Sequence, residues 1–352
     1  MGNLAETYQH IADILSFETS KSELSKKLND PAFNWDDIVV EGSRHLVLPA
    51  IYCCLKSKGL IHVLPDDLNS YLKKITSINR NRNTSIIEQI NTLSKLFNEH
   101  RINHVFLKGS AIITAGFFND SAERMIGDID ILVDEKQLDL AYNLLKSENY
   151  YAIEQTLSDK FFEHKHLPRL KTDKHICCVE LHRRLFVSER RNDLTSKKIL
   201  LDKQKVSEVL IPSNDDLIRH NILNYQIDDQ GYFYNSINFR SAYDTIVMMK
   251  KVSFNIDTHT NKRLRNYFNI IGIFFKDVLP VYTKNSFSKR FYLFKLKHTN
   301  FYKIWNKHLK IRNLIWTSIS RIPYFITNKR YRKAIYDDRK RIFSILKSVF
   351  KN

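Results

Sequence analysis

One short segment, Asp-Ile-Asp-Ile-Leu-Val at residues 128–133, limits the fold of this chain more than any other. Side chains of a strand alternate between its two faces, so the two aspartates share one face and the isoleucines share the other. Further strand patterns lie at 104–107, 150–154, 167–170 and 176–181, and most of the remaining chain has helical periodicity. The sequence therefore predicts an α+β fold, with a mixed-sheet core of α/β type between helical N- and C-terminal regions.

Capping patterns predict where two helices begin. Ser85 stands three residues before Glu88, and apolar residues follow at helical spacing through Phe97. The run Ser213 to Asp216 has the same character. Helices are therefore expected from about 85 to 97 and from about 214 onward.

Charge divides the chain unevenly. The net charge is +18, but residues 251–352 hold 24 Lys and Arg against four acids, and residues 1–250 have a net charge of −2. The charge step marks off a basic, aromatic-rich helical region at 251–352. Together with the strand and helix patterns, it predicts three regions before that: a helical N-terminal region at 1–100, the catalytic core at 101–185, and a helical region packing on that core at 186–250.

Cysteine usage and the N-terminus both bear on the cellular compartment. The four cysteines form two adjacent pairs, at 53–54 and 177–178, which fits neither a secreted disulfide framework nor a zinc knuckle. The N-terminus lacks a signal-peptide pattern, and no stretch has the length and apolarity of a membrane span. These features predict a cytoplasmic protein, either free or peripheral at the inner face of the membrane.

Three carboxylates are the candidates for chemistry. Asp128 and Asp130 would repel each other on one strand face unless a divalent cation or a proton lies between them, and a solvated strand face is the alternative. Glu180 shares a strand face with His182, and it would be a third carboxylate of the site if that strand lies beside residues 128–133. The alternative for Glu180 is an ion pair with a nearby arginine such as Arg183 or Arg184.

A phosphate-binding pattern precedes the aspartates. Gly109 and Ser110 lie where a short strand gives way to a helix, and the free N–H groups of a helix start favour a phosphate. Lys108 and Arg124 flank this position as cationic partners. Taken singly, Ser110 fits a plain helix cap better than a phosphate contact, and in a chain with 56 basic residues either cation could be incidental.

Together these motifs resemble the family of largely uncharacterised bacterial nucleotidyltransferases in the DNA polymerase beta superfamily. The resemblance covers roughly residues 100–250, where Arg240 and Asp244 are similar to a further family signature. It implies a nucleotidyltransferase core that transfers a nucleoside monophosphate from a triphosphate such as ATP to an acceptor hydroxyl, with pyrophosphate leaving.

The resemblance also implies roles for the candidate residues. Asp128 and Asp130 would hold two Mg²⁺ ions, with Mn²⁺ as the alternative metal, and Glu180 would complete the metal site or assist deprotonation of the acceptor. Gly109 and Ser110 would hold the triphosphate, and Lys108 or Arg124 would neutralise its charge.

Several functions stay open from the sequence. The acceptor could be a glycan or lipid-linked precursor, a small molecule or RNA, and a tRNA acceptor would make the enzyme toxin-like. A metal-dependent glycosyltransferase also uses Asp-x-Asp, but it leaves residues 108–110 without a role. A non-catalytic binding protein on a degenerate core is the third possibility. For residues 251–352, an anionic membrane surface, RNA or plain solvent would suit the basic exterior.

Overall fold

A computed structural model describes residues 3–153, 161–162, 164–187, 194–254, 261–278 and 287–351 of the chain. It contains two units, which we call the core unit, residues 1–153 and 165–292, and the basic unit, residues 154–164 and 293–352. Within the described ranges, no helix is both long and apolar enough to cross a membrane.

Five helices occupy the first hundred residues: α1 (Leu4–Leu15), α2 (Lys21–Leu28), α3 (Trp35–Arg44), α4 (Leu48–Ser57) and α5 (Asp66–Glu99). Asn3, Ser20 and Asn34 cap the first three, each accepting a hydrogen bond from a backbone N–H of the first turn. The expectation that a helix begins at Ser85 is wrong. Because residues 66–99 contain neither glycine nor proline, α5 runs unbroken from Asp66, and Ser85 lies in its interior.

Polar side chains on the buried face of α5 hold the segments that precede two strands. Asn79 and Asn83 donate to the backbone carbonyls of residues 121–124, at 2.6 to 3.2 Å. The Gln89 side chain makes two hydrogen bonds to the backbone of Cys177. Its amide nitrogen donates to the Cys177 carbonyl at 2.9 Å, and its oxygen accepts from the Cys177 N–H at 3.2 Å. Helix α5 therefore positions both chain segments that lead into the centre of the sheet.

The sheet has five strands: β1 (His104–Phe106), β2 (Asp128–Val133), β3 (Tyr151–Ala152), β4 (Leu170–Lys171) and β5 (Cys178–His182). Their order is β1-β2-β5-β4-β3, in which β2 and β5 are parallel and every other pair is antiparallel. Helices α6 (Lys108–Thr114) and α7 (Leu138–Ser147) follow β1 and β2. The expected α+β fold with a mixed sheet and helical ends is confirmed.

The rest of the core unit is mainly helical. Its helices are α8 (Ser196–Leu201), α9 (Asn214–Ile227), α10 (Gly231–Tyr234), α11 (Phe239–Lys251) and α12 (Lys262–Ile271). Between α8 and α9, the chain forms a small hairpin of β6 (Gln204–Val206) and β7 (Val209–Ile211). Ser213 caps α9 by accepting from the Asp216 N–H, which confirms the predicted start of that helix. Asn221 of α9 donates to both Ser241 and Thr245 of α11 at 3.0 Å, so these two helices are locked together.

Helix α13 (Phe287–Lys297) spans the boundary at which the basic unit begins. The basic unit then contains α14 (Thr299–Thr327), α15 (Lys329–Asp337) and α16 (Arg339–Lys351). Tyr324 of α14 and Tyr331 of α15 meet at a ring distance of 5.2 Å, and both rings contact Phe161 and Phe162. This aromatic cluster holds α14 and α15 together.

Candidate active site

Parallel pairing of β2 and β5 builds a polar surface in the middle of the sheet. The register places Asp128 opposite Cys178, Asp130 opposite Glu180 and Leu132 opposite His182. Because alternate residues share a face, both aspartates, Glu180 and His182 point to the same side of the sheet. Asp130, Glu180 and His182 are buried, and one potential ligand atom from each lies within 4.8 Å of the other two. We call these three residues the acid–histidine cluster.

Asp130 is the centre of this cluster. Its Oδ1 accepts hydrogen bonds from Lys108 Nζ at 2.5 Å and from His182 Nε2 at 2.8 Å. Burial alone would raise the pKa of Asp130, but Lys108 and His182 outweigh it and hold the pKa well below its usual range. Likewise, burial opposes the charged form of Lys108, yet the adjacent carboxylates raise its pKa above the ordinary value. Lys108 and Asp130 therefore form a charged pair.

An arginine that the sequence analysis did not single out joins the other two carboxylates. Arg169 Nε donates to Glu180 Oε1, and Arg169 Nη2 lies 3.1 Å from Asp128 Oδ2. Leu170 pairs with Val179 in the sheet, so Arg169 lies on the face of Glu180. The alternative ion pair of Glu180, which was expected with Arg183 or Arg184, is thus made with Arg169. The strand alternation in residues 167–170 was the sequence signal that could have placed Arg169 on the face of Glu180.

The three carboxylates differ electrostatically. Burial would raise the pKa of Glu180, but the hydrogen bonds from His182 and Arg169 lower it overall. Burial raises the pKa of Asp128, and the nearby charges of Asp130 and Glu180 raise it further. Asp128 is outside the acid–histidine cluster and is also the acid in which negative charge is least favoured.

The residues expected to bind phosphate are only partly brought together. Lys108 reaches the carboxylates from the first position of α6, where its φ is +50°. The Ser110 hydroxyl is fully buried and donates to the Leu107 carbonyl at 2.8 Å. Arg124 Nε donates to Asp244 Oδ2 at 2.8 Å, and Nη1 donates to the Met125 carbonyl. The polar groups of Ser110 and Arg124 are therefore engaged inside the protein.

Gly109 allows the close packing of α6 against the segment before β2. A Cβ at this position would lie 3.3 Å from Ile126 Cγ1 and 3.7 Å from Arg124 Nη2. A larger residue would require the Ile126 side chain to shift by a few tenths of an ångström.

Arg240 is a further cation near these carboxylates. It lies at the second position of α11, is half-buried, and makes no hydrogen bond or ion pair with any other residue that the structure describes. Burial and the neighbouring Arg124 lower its pKa, while Asp244, Asp229 and Asp128 oppose that shift. A half-buried guanidinium without an ion pair is suited to an anionic ligand.

The donor set suits a divalent metal. Carboxylate oxygens are the ligands that Mg²⁺ and Mn²⁺ prefer, and an imidazole nitrogen is compatible with Mn²⁺ and other transition metals. Asp130 and Glu180 supply such oxygens, with His182 either as a third ligand or as the group that orients Asp130. The residues present therefore fit a divalent cation.

Comparison with protein-family models identifies a family for this chain. The model of a family described as "Uncharacterised nucleotidyltransferase" matches residues 31–265, about two thirds of the chain. The matched range contains the five-stranded sheet, the acid–histidine cluster, Lys108, Arg169 and Arg240. A search of curated proteins found no match.

Proposed function

We propose that this chain, which belongs to the family of uncharacterised nucleotidyltransferases, transfers a nucleoside monophosphate from a nucleoside triphosphate to an acceptor hydroxyl. Membership makes the chain a transferase of phosphorus-containing groups with a nucleotide substrate. The finer proposal is supported mainly by one observation: parallel strands bring Asp130 and Glu180 opposite each other on the face that also holds Asp128. We also propose bacterial origin and a place in the DNA polymerase beta superfamily.

The reaction needs charge neutralisation more than covalent chemistry. The acceptor oxygen bonds to the α-phosphorus, the bond from that phosphorus to the bridging oxygen breaks, and pyrophosphate leaves with the electron pair. The hydroxyl proton passes to a carboxylate of the site or to water. Because the pKa of Glu180 is lowered, Glu180 is a weak base, which favours its role in holding metal over its role as proton acceptor.

Asp128, Asp130 and Glu180 would hold two Mg²⁺ ions, with Mn²⁺ as the alternative. When bound, such ions neutralise phosphate charge and orient the triphosphate and the acceptor. Arg169 contacts Asp128 and Glu180, the same oxygens that a metal would use, and its side chain is 54% exposed. We propose that Arg169 would release these carboxylates and contact a phosphate of the bound triphosphate instead.

Lys108, Gly109, Ser110 and Arg124 form the proposed triphosphate side of the site. Lys108 is the member that reaches the carboxylates directly. Ser110 and Arg124 would act by fixing the backbone, since Ser110 secures the turn into α6 and Arg124 ties the segment before β2 to Asp244 of α11. We add Arg240 as a phosphate contact, because its guanidinium has no ion pair among the described residues.

The acceptor is proposed only by class, as a glycan or lipid-linked precursor, a small molecule or RNA. We retain the four regions 1–100, 101–185, 186–250 and 251–352 as a proposal, with catalysis in the second. The basic fourth region would meet an anionic partner, either a membrane surface or RNA. A cytoplasmic enzyme, peripheral at the inner membrane face, is consistent with that assignment.

A labelling screen tests the reaction. The purified chain is incubated with each α-labelled nucleoside triphosphate or a labelled nucleotide sugar, with Mg²⁺ or Mn²⁺ and pools of candidate acceptors, and products are identified by mass spectrometry. We expect metal-dependent transfer of the α-phosphate label with release of unlabelled pyrophosphate. The variant Asp128→Asn should lose the transfer, and the control Asp139→Asn, at an exposed position on α7, should keep it.

Two results would contradict the proposal. Transfer of a sugar with no nucleotidyl transfer would favour a metal-dependent glycosyltransferase. Transfer that persists at the wild-type rate in Asp128→Asn and Asp130→Asn would remove the carboxylates from the mechanism.

A further inference from the structure

Helix α14 of the basic unit has a continuous aliphatic face. Six isoleucines recur along the helix at intervals of three, four or seven residues, which places them on one side of an α-helix. We call this set the isoleucine stripe, consisting of Ile304, Ile311, Ile315, Ile319, Ile322 and Ile326. At 1.5 Å per residue the stripe is about 33 Å long.

The stripe faces solvent. Five of its six members are among the exposed large hydrophobic residues of the chain: Ile304 (69%), Ile315 (52%), Ile319 (49%), Ile322 (50%) and Ile326 (66%). Trp316, next to the stripe, is 66% exposed. Away from the stripe, Leu309 is buried, and Tyr324 contacts Tyr331 of α15. An exposed aliphatic face of this size is typical of a surface that binds a membrane or another apolar partner.

The charge around the stripe is of one sign. Helix α14 has no acidic residue in 29 positions and has five basic ones, and residues 293–352 hold 16 Lys and Arg against two Asp. Lys303 and Lys310 are exposed on the same helix. The partner must therefore offer both negative charge and an apolar phase.

We propose that the isoleucine stripe docks α14 flat on an anionic membrane surface. Anionic lipid headgroups attract the basic side chains of α14, which has no acidic residue, and the acyl boundary beneath them takes up the isoleucines. A nucleic acid would satisfy the charge but leave the aliphatic stripe in water.

The inference deepens the partner assignment of the proposed enzyme, and it can hold or fail whether or not transfer is found. The test uses the full chain without nucleotide: co-sedimentation with vesicles of phosphatidylcholine alone or with phosphatidylglycerol added, at about 100 mM salt. We expect binding only to the anionic vesicles. The variant Ile315→Ser/Ile319→Ser/Ile322→Ser should weaken that binding by about tenfold or more. It removes three side chains that would be buried in the acyl boundary of the bound membrane.

A matched control removes three exposed aliphatic side chains elsewhere. Val40, Ile78 and Leu201 are exposed in the core unit, so Val40→Ser/Ile78→Ser/Leu201→Ser should bind vesicles within about twofold of wild type. Circular dichroism melts of all variants check that they are folded. In a Trp35→Phe/Trp305→Phe background, the emission of Trp316 should shift to the blue on anionic vesicles.

Three results would overturn the proposal. The first is no binding of the wild type to anionic vesicles. The second is equal binding by the stripe variant, which would leave charge as the whole cause. The third is tight binding of tRNA without a blue shift of Trp316 on vesicles, which would assign the basic unit to nucleic acid.

Discussion

The two aspartates of β2 should respond oppositely to loss of charge in the metal-free protein. Asp130 is 2% exposed, and its Oδ1 accepts from both Lys108 and His182. Asp130→Asn keeps the shape but leaves the cation of Lys108 without its partner. Removing one member of a buried pair costs about 3–5 kcal/mol, and we expect the lower end because the Lys108 side chain is 22% exposed.

Asp128→Asn is the matched comparison. The pKa of Asp128 is raised by burial and by the neighbouring carboxylates, so losing its charge removes repulsion. Its contact with Arg169 is more than half exposed on the arginine side and contributes little. The free energy of unfolding should therefore stay the same or rise, whereas Asp130→Asn should lower the melting temperature by roughly 4–5 °C.

Thermal unfolding followed by circular dichroism in EDTA measures both effects. Lys108→Met and the double variant Lys108→Met/Asp130→Asn complete a cycle, in which we expect a coupling of about 2 kcal/mol or more. Equal melting temperatures for the two Asn variants, or additive effects in the cycle, would refute the charged pair of Lys108 and Asp130.

Three further predictions concern other residues. Glu180→Gln should lower the transfer rate far more than nucleotide affinity, as measured by kinetics and equilibrium binding on one preparation; an unfolded variant would indicate a structural role. Arg240→Met should weaken triphosphate binding by about tenfold in calorimetry without changing the melting temperature, and unchanged affinity would remove it from the site. His104 is buried, and its pKa falls to about 4, so the unfolded chain takes up the proton first as pH drops from 7.5 to 5.5. His104→Gln should therefore reduce the loss of unfolding free energy over that range by about 1.3 kcal/mol in urea titrations, and an unchanged slope would contradict it.

The strand patterns of the core were readable from the sequence because alternation is local. Side chains alternate along a strand, which is why the sequence predicted one shared face for Asp128 and Asp130 and one for Glu180 and His182. Glu180 was expected to be a third carboxylate of the site only if its strand lay beside residues 128–133, and β5 does lie beside β2. The helix start at Ser85 failed because a capping pattern also occurs inside a long helix, and only the absence of glycine and proline upstream of it argued for continuity.

The partners of the site residues could not be predicted from the sequence. Lys108 meets Asp130 across 22 residues, Arg169 meets Asp128 across 41, and Arg124 meets Asp244 across 120. Such pairs depend on how elements pack, and a chain with 56 basic residues offers many equivalent candidates for each acid. Packing also decides that Ser110 turns inward to the Leu107 carbonyl rather than outward to a ligand.

The parallel register of β2 and β5 has a consequence for how the protein folds. Antiparallel neighbours are often joined by a tight turn, but these two strands are separated by more than 40 residues that include α7, β3 and β4. Asp130 and Glu180 become neighbours only when that whole crossover has been completed, so the unfolded chain has no preformed metal site. Added Mg²⁺ or Mn²⁺ should then slow unfolding, since the ion would bind the folded site and not the unfolded chain.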